Sequence, residues 1–244
     1  MRKILILNFA ILTILFYSGC SKDILQAPPT AQVNLEKLYK SAVTDAIVAD
    51  SSEICDTLWA INTNNSKLKW KIINNEKYVL VGNFNKYPSS YADTSLTNSW
   101  GIIWVFIPDQ FKNRLCSSPI QFNDTLLRMR QLLGIPSSNS YNYIVELWVK
   151  PEDLFRPAAD SEINDNVAGL YFPSNADTNY IKWFNQNIYD SYFGKWTHYP
   201  WTRLGYTYDW ANSASEIGVS EYCIKPNSLL YVEKLCLAKK YLNN

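Results

Sequence analysis

The pattern of apolar and polar positions along the chain predicts strands in several places. Apolar residues alternate with lysines at 67–72, which is typical of a strand with one buried face, and the turn-forming Asn74-Asn75-Glu76 leads into a return strand at 77–84. Further apolar runs predict strands at 101–107, 143–149, 217–225 and 228–239. Since only Pro226-Asn227 separates the last two, we expect them to form a C-terminal hairpin.

The helical spacing of apolar residues predicts three helices, at 34–50, 126–133 and 179–193. Asn34 and Asp124 are placed as N-terminal caps of the first two. The strand pairs and single helices show no regular strand–helix–strand alternation. We therefore expect an α+β fold, a single domain with a mainly antiparallel sheet, a few helices and long aromatic-rich loops.

The start of the chain is typical of an export signal. A basic start, Met1-Arg2-Lys3, precedes an apolar run at 4–17 that is too short for a comfortable membrane span. Tyr17-Ser18-Gly19-Cys20 resembles the lipobox of bacterial lipoproteins, in which the cysteine becomes the mature N-terminus and carries the lipid. The resemblance implies a lipoprotein signal peptide at 1–19 and a lipid on Cys20. The alternative is an ordinary signal peptide followed by an incidental cysteine.

The same resemblance implies a location. A fatty-acyl chain such as palmitate on Cys20 would anchor the protein to the bacterial cell envelope, at the outer membrane. Residues 20–33 contain Pro28-Pro29 and little apolar periodicity, so we expect an extended tether that holds the domain at 34–244 away from the membrane surface. The sequence leaves open whether the domain faces the periplasm or the outside of the cell.

Composition excludes some classes of function. The 23 basic and 22 acidic residues nearly cancel, so the chain lacks the basic excess of an electrostatic nucleic-acid binder. The 47% content of apolar residues is too high for a disordered chain. The single histidine excludes a multi-histidine metal centre, and the sequence contains no glycine-rich phosphate loop. We therefore predict no nucleic-acid partner and no cofactor.

Four cysteines remain beyond Cys20, namely Cys55, Cys116, Cys223 and Cys236. An exported chain can form disulfides, so the sequence leaves two possibilities for these cysteines, disulfide pairing or free thiols. A bridge between Cys223 and Cys236 is not expected, because in the predicted hairpin they would lie about 20 Å apart along the strands.

Two stretches of the chain share an unusual density of aromatic and charged residues. They are 147–157, Leu-Trp-Val-Lys-Pro-Glu-Asp-Leu-Phe-Arg-Pro, and 199–210, Tyr-Pro-Trp-Thr-Arg-Leu-Gly-Tyr-Thr-Tyr-Asp-Trp. Together they resemble an uncharacterised family of exported bacterial proteins, over about residues 58–231. The resemblance implies export and a single domain. It implies no activity, because none is attached to that family.

The two stretches and their surroundings supply the candidate functional residues. Aromatic rings could stack on sugars, and an arginine could bind an anion. The candidate ligand-binding residues are therefore Trp148, Arg203, Tyr206, Tyr208 and Trp210. The candidate catalytic residues are those whose side chains could donate or accept a proton, namely Glu146, His198, Asp209 and Glu221. For each of these, the alternative is a structural role, in which the polar atoms of an aromatic-rich loop satisfy one another.

An acidic group in a loop is a candidate metal site. Asp160, Glu162 and Asp165 carry carboxylates of the kind that Ca²⁺ prefers. Their spacing does not match the twelve-residue calcium loop, and the alternative is a solvated acidic turn.

Two functions follow from these observations. The first is a lipid-anchored, non-catalytic binding or interaction module whose aromatic-rich surface engages a glycan or an envelope protein. The second is a secreted hydrolase, directed at glycans, that uses carboxylates of the two stretches. The absence of a recognisable nucleophile–base motif in the sequence favours the first, and the sequence does not decide whether the protein is an enzyme.

Overall fold

Nine antiparallel strands form the sheet in the part of the chain that the computed structural model describes, residues 34–117, 120 and 123–243. The strands are β1 (Trp70–Ile73), β2 (Glu76–Asn85), β3 (Ser95–Thr97), β4 (Ile103–Phe106), β5 (Tyr143–Val149), β6 (Leu154–Phe155), β7 (Tyr206–Tyr208), β8 (Ile217–Ile224) and β9 (Leu229–Leu237). Their order is β3-β9-β5-β2-β4-β8-β6, with β1 beside β2 and β7 beside β8. The predicted signal peptide, Cys20 and the tether lie outside the described residues.

Four α-helices accompany this sheet in the described residues. They are α1 (Leu35–Asp45), α2 (Pro108–Cys116), α3 (Thr125–Leu132) and α4 (Thr178–Tyr192). Side chains cap three of them: Asn34 accepts from the backbone N–H of Lys37, Asp124 from that of Leu127 and Asp177 from that of Asn179. The structure confirms the predicted α+β fold in a single compact domain. No helix in the described ranges is long and apolar enough to cross a membrane.

The N-terminal hairpin is confirmed. β1 and β2 pair in a register that sets Ile73 opposite Glu76, which leaves Asn74 and Asn75 as a two-residue turn. Both turn residues have positive φ, 51° and 65°, and asparagine tolerates this conformation better than most residues.

The predicted C-terminal hairpin is wrong. β8 and β9 do not pair: β8 lies between β4 and β6, while β9 lies between β5 and β3. Asn98, fully buried, holds the connection between them, because its side chain donates to Lys225 O and accepts from Ser228 N. The register argument about Cys223 and Cys236 therefore falls. Its conclusion stands, because both are free thiols, as are the other two cysteines of the described domain.

Helix α2 was not predicted from the sequence. Pro108 directly follows the strand predicted at 101–107, and it is the first residue of α2. Proline fits there because the first turn of a helix leaves its N–H groups without intrahelical partners. Phe111 and Leu115 of α2 are fully buried against the sheet.

The sheet packs a core on each of its faces. One core joins Val81 of β2 to Leu154 of β6, Ile224 of β8 and Leu230 of β9. Because these strands stand far apart in the sheet order, the sheet curls around that core. The other core places α2, α3 and the C-terminal segment against the opposite face.

Candidate functional site

A cavity opens where β2 and β4 separate. The two strands pair at the single position Gly82–Phe106. Glycine is required there, because a Cβ on Gly82 would lie 2.5 Å from the Phe106 ring. Beyond this point Asn83–Asn85 pair with β5 on one side only, and the Asn83 side-chain amide donates to Trp104 O across the gap at 2.9 Å. The cavity that results has a volume of about 500 Å³.

Several segments of the chain contribute to the walls of this cavity. They include the end of β2, the strand β4, the turn after α3 at 133–135, the α4 side chains Asn187, Asp190 and Ser191, the loop at 196–201, β7, and Glu221 of β8. Among the described residues, a wider depression beside α1 is lined by side chains of 34–45 and is more open.

Aromatic rings dominate the cavity surface. Trp104 and Trp201 line it and meet edge to face, with ring centroids 5.9 Å apart. Tyr87, Trp100 and Trp196 also line it and are 63%, 51% and 81% exposed. These three exposed rings give the mouth of the cavity an apolar surface.

Three asparagines in the cavity wall have amide atoms without a protein partner. They are Oδ1 of Asn83, both Oδ1 and Nδ2 of Asn85, and Nδ2 of Asn187. All four atoms are buried, and Asn85 is only 8% exposed. A buried polar group without a hydrogen bond costs about 1–3 kcal/mol, so most proteins avoid it. These four atoms are therefore available to form hydrogen bonds with whatever occupies the cavity.

The cavity wall contains one carboxyl group from a strand of the sheet, that of Glu221. It lies on β8 directly opposite Phe106, and it lines the cavity. Burial raises the pKa of Glu221 from 4.5 to about 8, and no neighbouring cation lowers it. At neutral pH the group is mostly a neutral carboxylic acid, which can donate one hydrogen bond.

The other candidate catalytic residues lie outside the cavity. Glu146 is buried, accepts a hydrogen bond from Tyr241 at 2.6 Å and lies 3.6 Å from the ammonium of Lys112. Asp209 is buried in an ion pair. His198 contacts a backbone carbonyl through Nε2 at 2.9 Å. Of the four candidates, Glu221 alone lines the cavity.

Among the five candidate ligand-binding residues, only Tyr208 lines the cavity, and its hydroxyl donates to Asp45 at 2.8 Å. The other four use their polar atoms within the protein. Trp148 donates to the Glu233 carboxylate, Arg203 to two backbone carbonyls after α1, Tyr206 to Glu53 O and Trp210 to Ile135 O.

The acidic loop is held by its own hydrogen bonds. Glu162 accepts from the backbone N–H groups of Asn164 and Asp165, and Asp165 pairs with the buried Arg156 at 2.9 Å. Asp160 accepts only a long bond from Glu162 N. In the described part of the chain, no three His, Cys, Asp or Glu side chains come together to hold a metal ion.

Sequence reasoning missed the three asparagines. A signal was present, because Val79, Val81, Asn83 and Asn85 alternate along β2 and so share one face. The two valines are completely buried, so amides that continue the same face are unusual. Their position marks the point at which the apolar core gives way to the cavity.

Comparison of the chain with protein families, curated proteins and solved structures finds no match. The resemblance of the two aromatic stretches to exported bacterial proteins stays a prediction.

Proposed function

We propose that this protein is a non-catalytic binding protein, and that the cavity between β2 and β4 takes a polyhydroxylated ligand such as a segment of a glycan. The observation that carries the proposal is the set of unpartnered amide atoms on Asn83, Asn85 and Asn187. An asparagine amide offers both a donor and an acceptor, and a hydroxyl group also does both, so amides and sugar hydroxyls are natural partners.

The charge of the cavity supports a ligand without an anionic group. Lys86 is the one basic residue among the described residues of the cavity wall, and its side chain is exposed. A site for phosphate or carboxylate would need arginine or lysine directed into it. Tyr87, Trp100 and Trp196 at the mouth fit the apolar faces of sugar rings, since aromatic rings bury large areas at little cost in side-chain entropy.

Binding of immobilised neutral oligosaccharides by the full chain, purified in detergent, tests this proposal. Asn187→Leu removes an unpartnered amide from the cavity wall, and Asn185→Leu changes an exposed residue on the same helix. We expect wild type and Asn185→Leu to bind the same oligosaccharides and Asn187→Leu to bind them at least tenfold more weakly. Equal binding by the two variants, or no binding by wild type across neutral glycans of different linkage, would contradict it.

We further propose that the protein is anchored at the cell envelope, at the outer membrane, through a lipid on Cys20. The support is the lipobox-like Tyr17-Ser18-Gly19-Cys20 after a basic and apolar start. Metabolic labelling with a radioactive fatty acid tests this. We expect label in wild type and none in Cys20→Ala, and equal labelling of the two would overturn the anchor.

A glycan-directed hydrolase is the second candidate, and Glu221 favours it. A carboxylic acid that stays neutral near pH 7 resembles the general acid of glycosidases, and Asp190 in the same cavity wall supplies a second carboxyl group. Release of reducing ends from an oligosaccharide that the protein binds tests it. The binding proposal expects no release, and release that Glu221→Gln abolishes would establish the hydrolase.

A further inference from the structure

The carboxyl group of Glu221 has no counter-charge in the protein. No lysine, arginine or histidine of the described residues forms an ion pair with it. Nor does any hydrogen bond within the described ranges reach its side-chain oxygens; its backbone N–H donates to Gly205 O. A carboxylate placed in protein without a partner is costly, and proteins normally pair such a group or bind a cation with it.

Aromatic side chains share the wall of the cavity with Glu221. Phe106 stands directly opposite it on β4, and Trp104 lies two residues away on the same face of that strand. Trp201 reaches the cavity from the loop at 196–201 and contacts Trp104 edge to face. The faces of such rings attract cations within about 6 Å, most strongly for tryptophan.

Among the titratable groups around Glu221, Arg203 is the cation to consider: it packs on the Tyr192 ring, donates to Ala46 O and Ile47 O, and forms no ion pair with Glu221. On β8 its neighbour is the buried thiol of Cys223, and α4 contributes Asp190 and Tyr192. The loop and β7 contribute Tyr199 and Tyr208, and burial raises the pKa of each phenol. Lys86, at the end of β2, is exposed and near the Tyr87 ring.

We propose that Glu221 and the rings of Trp104 and Trp201 form a subsite for an alkylammonium group, so that the ligand is a glycan with a cationic amino group. This rests on the proposed function for the identity of the ligand, but the ammonium subsite itself does not. An ammonium group would give the ionised carboxylate the partner that the protein withholds, and the rings would stabilise the same charge. The asparagines on the β2 side would then hold neighbouring hydroxyl groups.

Protonation gives this subsite a distinctive pH dependence. Below pH 8 Glu221 is mostly protonated, so a permanent cation must displace the proton, and its affinity should rise about tenfold per pH unit from pH 6 towards pH 8. A neutral ligand that accepts a hydrogen bond from the protonated acid would show the opposite trend, with affinity that falls above pH 8.

Calorimetric titration of the full chain in detergent with benzyltrimethylammonium tests the subsite. This probe carries a permanent charge and no hydroxyl group. We expect saturable binding, release of close to one proton at pH 6, an affinity that rises between pH 6 and pH 8, and a loss of at least tenfold in Glu221→Gln at pH 8. Asn185→Leu, which changes an exposed residue of α4 outside the cavity wall, should change the affinity less than threefold.

Three results would overturn the subsite. They are no binding by wild type, affinity that does not depend on pH, and equal affinity in Glu221→Gln. The test separates the two proposals, because binding of the ammonium probe with no binding of oligosaccharides would reject the glycan and keep the subsite. Binding of neutral oligosaccharides with no binding of the probe would keep the glycan and reject the ammonium subsite.

Discussion

Arg128 and Asp209 form a bidentate ion pair inside the domain. The Nη1–Oδ1 and Nη2–Oδ2 distances are 2.7 Å and 2.6 Å, and the two side chains are 2% and 1% exposed. The pair ties α3 to the segment after β7, so it fixes the positions of two walls of the cavity. Asp209, the one acidic residue of the second aromatic stretch, therefore has a structural role.

Asp209→Leu should destabilise the domain by about 3–5 kcal/mol, because it leaves the Arg128 guanidinium buried without a counter-charge. Urea unfolding measures the change. The double variant Arg128→Met with Asp209→Leu should recover most of the loss, since apolar side chains can replace a buried pair. A loss below about 1 kcal/mol in the single variant would show that the pair is not an essential part of the fold.

Arg203→Ala should lower the melting temperature by several degrees, as expected for a loss of about 1–2 kcal/mol in a domain of this size. Arg203 donates to Ala46 O and Ile47 O at 2.7 Å and 2.9 Å and packs on the Tyr192 ring. Its φ of 62° is a left-handed conformation, so Arg203→Gly should cost less than Arg203→Ala. Thermal unfolding compares the two, and an unchanged melting temperature in Arg203→Ala would instead make this arginine a ligand-binding residue.

Gly82→Ala should destabilise the domain by about 1–3 kcal/mol through overpacking. The new Cβ would meet the Phe106 ring at 2.5 Å, and that ring is held by its stack on Phe111, with centroids 4.3 Å apart. Gly169→Ala is the control, because no atom lies within 4 Å of its Cβ position. Urea unfolding should show a change below about 0.5 kcal/mol for the control, and equal effects of the two substitutions would argue against the close approach of β2 and β4.

Glu221→Gln should stabilise the protein, and more so as the pH rises. In the unfolded chain Glu221 ionises near pH 4.5, whereas in the fold its pKa is about 8. Between these values the folded state binds the extra proton, so the contribution of Glu221 to stability is full below pH 4.5 and declines up to pH 8. Glutamine lacks this loss, so the variant should gain about 3 kcal/mol at pH 7 and close to nothing at pH 4. Unfolding curves at both pH values measure the difference, and an equal effect at both would show that the fold does not raise the pKa of Glu221.

Local signals in the sequence predicted the elements that local interactions determine. Strand β5 begins and ends with the apolar run that predicted it, at Tyr143 and Val149. Helix α3 follows its Asp124 cap. Strand partners are set by distant residues, and nothing near Pro226-Asn227 shows that Asn98 will hold the connection apart from a hairpin. Pro108 is equally consistent with the end of a strand and the start of a helix.

The site was less predictable than the fold. Glu221 was a candidate catalytic residue, as a carboxyl group that could move protons. The cavity arises from the separation of two strands after Gly82, and that separation depends on a contact with Phe106, 24 positions away in the chain. The asparagines of β2 gave a local signal, but only the structure shows that their amides have no partner.

The most direct test of the central claim is the effect of Asn85→Leu on stability and on oligosaccharide binding, measured on the same preparation. Asn85 is 8% exposed and neither of its amide atoms has a protein partner. If the amide serves a ligand, its removal should leave the free energy of unfolding unchanged or raise it by about 1 kcal/mol, while oligosaccharide binding falls at least tenfold. A fall in stability of about 1 kcal/mol or more with unchanged binding would contradict the claim, because Asn85 would then be part of the fold and not of a binding site.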